Sequence, residues 1–161
     1  MKTAQASLIF LKAVLVLLAL LAFAFCLFTI PGMASRDAAA HPETAYLQYP
    51  FLLSAYLLFG LFFTALYQTF KLLSFISRNQ EFSIQSVRAL KMIKYCALIT
   101  AGIFVAGLLF LIFFIGGDIA GLFTMSTILI IASSAVSAFA AVLEKLTAKA
   151  IRMKAENELT V

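Results

Sequence analysis

The sequence predicts an all-α integral membrane protein: a four-helix bundle, N-in/C-in, whose helices overshoot the bilayer on the cytoplasmic side. Three observations carry that prediction. Hydrophobic residues make up 64% of the 161 and charged residues only 12%, about half the charge fraction of an ordinary soluble domain. A soluble fold of this size leaves too much of its surface exposed to hide so much apolar material. Four apolar runs are also long enough to cross a hydrocarbon core, which takes about 20 helical residues. None of them alternates with period two, so a closed barrel, the other way to span lipid, does not fit.

The chain reads as a single four-span domain over 1–161. The first span is Ala13 to Ile30, with Pro31-Gly32 as the expected helix stop. An outer loop, 31–49, leads to the second span, which starts after Pro50 and runs Phe51 to Phe70. A polar connection, 71–94, precedes the third span, Tyr95 to Ile115, closed by Gly116-Gly117. The fourth runs Ile119 to Leu143 and leaves a tail, 144–161. Residues 1–34 also have the outline of a cleaved signal peptide ending at "GMAS". Its apolar run is longer than the h-region of such a peptide, and Lys12 divides the n-region, so a retained span is expected.

Orientation follows from where the cations fall. The 31–49 segment holds Arg36 against Asp37 and Glu43, a net −1. The 71–94 segment holds Lys71, Arg78, Arg88, Lys91 and Lys94 against Glu81, a net +4. Lys2, Lys12, Lys145, Lys149, Arg152 and Lys154 flank the outer spans on that same side. Lysine and arginine collect on the cytoplasmic face of membrane proteins. Both termini and the middle connection are therefore expected in the cytoplasm. The net charge of +5 is accounted for in this way, and no soluble basic domain is present to bind nucleic acid directly.

Three of the four helices are predicted to outrun the membrane. Ser83 is a good N-cap, and no Gly or Pro lies between it and Gly102, so the third helix can run from Ser83 to Ile115. The second continues to Ser77 and the fourth toward Asn157. On a helical wheel Ser86, Leu90, Ile93 and Ala97 form the stripe expected to face the bundle, with Arg88, Lys91 and Lys94 on an opposing arc. That arc reads as a collar for anionic lipid headgroups or as a docking face for a cytoplasmic protein, and the two are compatible.

Few residues invite a chemical reading. Asp118, after two glycines, is expected to cap the fourth helix. His41 has no spaced partner and reads as a loop residue, so no metal site is expected. Protease, hydrolase and nucleotide-binding signatures are absent from the sequence, and no cofactor is implied. No charged residue falls near the middle of a span, which counts against a pump or an ion path. The sequence points away from catalysis. Small residues do show pattern: Ser133, Ser137 and Ala141 at four-residue steps, and Gly102 with Ala106. Such faces let helices approach closely in lipid. They are expected to pack the last two helices together, or else to form a homodimer.

The stretches "ALYQTFKLLSFISRNQEFSIQSVRALKMIKYC" and "FAAVLEKLTAKAIRMKAENELTV" resemble the YoaS-like family of bacterial membrane proteins, domain of unknown function 2975. "FLKAVLVLLALLAFAFCLFTIPGMA" and "YPFLLSAYL" are similar to it too, so the likeness covers nearly the whole chain. It implies a four-span plasma-membrane protein without settled biochemistry. The family's genes often neighbour one for a small helix-turn-helix regulator, which makes a cytoplasmic partner more plausible. No role attaches to "RDAAAHPETAYLQ". The expected function is therefore that of a non-enzymatic membrane partner or regulator working through its basic helix ends. The competing expectation is a small transport or immunity protein for a hydrophobic peptide or drug.

Overall fold

The computed structural model describes residues 2–40, 42–78, 80, 82–114 and 120–158. Its elements are α1 (Lys2–Ala24), a π-helical turn (Phe25–Thr29), α2 (Ile30–Ala40), a 3-10 turn (Pro42–Leu47), α3 (Gln48–Ile76), α4 (Ile84–Phe114) and α5 (Ala120–Glu158). Four stretches are long and apolar enough to cross a membrane: Ala6–Ala40, Ala45–Ile76, Ile84–Phe113 and Ala120–Asn157. Asp118 and His41 lie outside the described residues.

The helix stop expected at Pro31-Gly32 is not there. Proline lacks an N–H, and its ring strikes the carbonyl four residues back, so it breaks a regular α-helix. Here the π turn sits just before it. The Ile30 N–H reaches back five residues to the Phe25 carbonyl, which widens the ladder where the ring needs room. The helix then continues through Gly32 to Ala40. Pro50 is likewise inside a helix rather than ahead of one. It occupies the third position of α3, in a first turn whose N–H groups have no intrahelical partner.

The chain divides into two compact units, Met1–Leu66 and Tyr67–Val161, with the boundary inside α3. In the first unit, Cys26, Ile30 and Ala34 are buried at four-residue steps, a helical stripe that runs from the π turn into α2. Phenylalanines pack α1 and the π turn onto α3. Phe23 meets Phe63 edge-on at 6.3 Å between ring centres, and Phe25 stacks on Phe59 at the same separation.

The second unit is built on an antiparallel hairpin of α4 and α5, which pack along one another. Ser86, Ala89, Leu90, Cys96 and Ala101 of α4 are buried, with Ser137 and Ala140 of α5 and Leu73 near the end of α3. The side chains are small, so the helix backbones come close. Several hydroxyls fold back on their own helix. Thr100 donates to the Cys96 carbonyl at 2.9 Å and Thr127 to that of Phe123 at 2.8 Å. That return bond satisfies a hydroxyl where lipid offers no partner.

Candidate interaction face

The connection between α3 and α4 is tied down by Gln80. Its backbone N–H donates to the Phe75 carbonyl at 2.9 Å, closing the end of α3. Its own carbonyl accepts the Ser86 hydroxyl at 3.2 Å, on the first turn of α4. Ser83 caps that turn: its Oγ accepts the Ser86 N–H at 3.2 Å and lies 3.1 Å from the Ser86 Oγ. One proton arrangement satisfies the set, with the Ser83 hydroxyl donating to Ser86 and the Ser86 hydroxyl to Gln80. Ser86 is wholly buried, and each of its polar atoms has a partner.

Two turns along α4, Lys94 crosses to α5. Its Nζ is 2.6 Å from a carboxylate oxygen of Glu144, and the two side chains are only 24% and 19% exposed. On the same stretch the Ser137 hydroxyl donates to the Lys94 carbonyl at 3.2 Å. The ammonium also lies 5.1 Å from the centre of the Tyr95 ring.

This corrects the expected basic arc. Arg88 and Lys91 are exposed, but Lys94 belongs to the seam. The reason is periodicity. Lys94 follows Leu90 by four residues, about 40° round the helix, whereas Lys91 is about 100° away. Of the two expectations for the small residues of α4, the structure overturns packing against α5 and leaves the homodimer reading standing. Gly102 and Ala106 are exposed, and a methyl group added at Gly102 would meet nothing within 4 Å. Ala101 takes the buried place, because it is the residue in line with Ala97. On α5 Ser137 is buried, and Ser133 and Ala141 are half-buried.

Sequence reading missed Glu144. A signal was present, since it is the one acid of α5 before Glu156. Arg88, Lys91, Lys145, Lys149, Arg152 and Lys154 are exposed and make no ion pair among the described residues. Among those residues, too, no three of His, Cys, Asp and Glu gather as a metal ion would require. Chemically, the hairpin end offers a fixed pattern of cations around an internally satisfied polar seam.

A profile described as a protein of unknown function, DUF2975, matches residues 32–161. The chain belongs to the DUF2975 family. It is 43% identical over 156 residues to the uncharacterized membrane protein YoaS of Bacillus subtilis strain 168, covering 96% of this chain and 98% of that one. No solved structure matches it. The DUF2975 match begins at Gly32, just beyond the π turn, and takes in the whole α4–α5 hairpin. The resemblance read from the sequence thus holds, and with the four apolar helices it makes this an all-α membrane protein of uncharacterised role.

Proposed function

We propose that this protein is a non-enzymatic plasma-membrane component, N-in/C-in, whose basic helix ends form a platform for a cytoplasmic protein. The observation that carries the reading is the set of exposed cations at one end of the α4–α5 hairpin. α5 has 39 residues, roughly 58 Å at 1.5 Å per residue, and α4 has 31, whereas the hydrocarbon core is about 30 Å thick. The excess of both helices carries the cations. Positions nearest the bilayer, Lys91 and Lys145, meet anionic headgroups, and those farther out meet the partner. The helix-turn-helix regulator that the family resemblance suggests is one candidate for it.

The test is quantitative co-purification from native membranes at matched abundance. An Arg88→Gln/Lys91→Gln/Lys149→Gln/Arg152→Gln variant should insert normally and lose a cytoplasmic protein that the wild type retains. Equal recovery of the same proteins in the same amounts overturns the platform.

A further inference from the structure

The exposed face of α5 carries a second pattern, an apolar seam that does not end where the bilayer ends. Phe139, Val142, Leu146 and Met153 are exposed, and with Ala150 they follow one another at steps of three, four, four and three residues. That spacing puts them on one line along the helix. Between Ala120 and Leu143 α5 has no charged residue, so lipid covers the seam there. Met153 lies ten residues past Leu143, roughly 15 Å farther along the axis. Even at a tilt of about 40° it stands roughly 11 Å out, beyond a headgroup layer of about 5–8 Å. Leu146 and Met153 remain 58% and 54% exposed, and the outer one is out of reach of lipid.

Lys145, Lys149 and Arg152 line one flank of this seam, with Glu156 one turn beyond Arg152, and Lys154 lines the other; all five are exposed, and cations outnumber the acid four to one. We infer that the outer seam is a docking site for one acidic amphipathic helix, its apolar stripe on Leu146, Ala150 and Met153 and its carboxylates on the flanking cations. Helix-in-groove recognition has this form, with anchors at i, i+4 and i+7. A second copy fits poorly, because it would set the same cations against each other. A polyphosphate chain would use the cations and leave the apolar line bare. The inference rests on the platform reading and names its partner class.

The probe is a synthetic, fluorescently labelled helical peptide with leucines at i, i+4 and i+7 and glutamates on both flanks. It is titrated onto the full-length protein in phosphatidylcholine nanodiscs. The control peptide has the same composition with the leucines scrambled. We expect saturable binding, weakened about tenfold or more by scrambling or by Leu146→Gln/Met153→Gln. Both substituted residues are exposed, so the variant should keep its helical circular dichroism. Lys149→Glu/Arg152→Glu should remove binding.

Equal binding of the scrambled peptide, or no effect of the Leu146 and Met153 changes, reduces the site to charge alone and overturns the inference. So does efficient cross-linking of Met153→Cys between copies, which would assign the seam to a second molecule. Failure of the peptide with the co-purifying protein still lost from the charge variant removes only the helix-in-seam form. Failure of both removes the platform.

Discussion

Lys94 of α4 and Glu144 of α5, fifty residues apart in sequence, meet at 2.6 Å across the hairpin. The contact fixes the register of the two helices, because Ser137 also reaches the Lys94 backbone. Cations farther along each helix therefore hold fixed relative positions. Removing one partner of a shielded pair leaves the other without compensation, whereas removing both need not. Lys94→Met or Glu144→Leu alone should lower the thermal midpoint of the purified protein. The Lys94→Met/Glu144→Leu double variant should recover part of the loss. A double variant that shows the full sum of the single losses would mean the residues do not interact.

The first turn of α4 makes a separate prediction. Ser83→Ala removes an N-cap and should cost about 1 kcal/mol of stability. Ser83→Asp keeps an acceptor for the Ser86 N–H and should cost much less. Unfolding titrations in mixed micelles compare the two. Equal losses would show that the Ser83 oxygen does not act as a cap.

How much of this was legible in the sequence differs from residue to residue. The beginning of α4 was readable at Ser83, and its inward stripe at Ser86 and Leu90, because capping and helical periodicity are local. The π turn was not. Pro31 announces a break, but whether the chain stops or widens by one residue depends on packing around Cys26, Ile30 and Ala34. For Lys94 charge and angle point in opposite directions: its charge groups it with the outward cations, and its angle puts it at the seam. Its distance of one turn from Leu90 already placed it beside the seam, and a long side chain needs only one acid opposite it. Gly102 and Ala106 are a different case, since a small-residue pattern says that a helix could approach there, not which helix does.

Thiol chemistry gives another check. Cys26 and Cys96 are free and buried. Without reductant, both should be alkylated after denaturation and should resist alkylation in the folded protein. A Cys26–Cys96 cross-link detected by non-reducing mass spectrometry would contradict the four-span topology expected from the sequence, which puts the two thiols in opposite leaflets, too far apart for a disulfide.

Topology is tested by cysteines introduced singly at Ala39 and Gln80, both exposed, in a background lacking the native pair. The Ala39 position should react with an impermeant thiol reagent in intact cells. The Gln80 position should react only after permeabilisation. The opposite pattern would put the cations outside the cell and remove the basis for a cytoplasmic platform.

A lipid collar depends on total charge near the surface, whereas a docking face depends on where each charge stands. Relocation separates them. Lys149→Gln/Arg152→Gln combined with Gln80→Lys/Gln85→Lys keeps the cation count and should insert in the same orientation, because insertion follows the overall bias. The deciding measurement is the amount of cytoplasmic protein that co-purifies with this variant and with the wild type at matched membrane abundance. The account predicts its loss from the relocated variant. Undiminished recovery would contradict it and leave the basic helix ends as a collar.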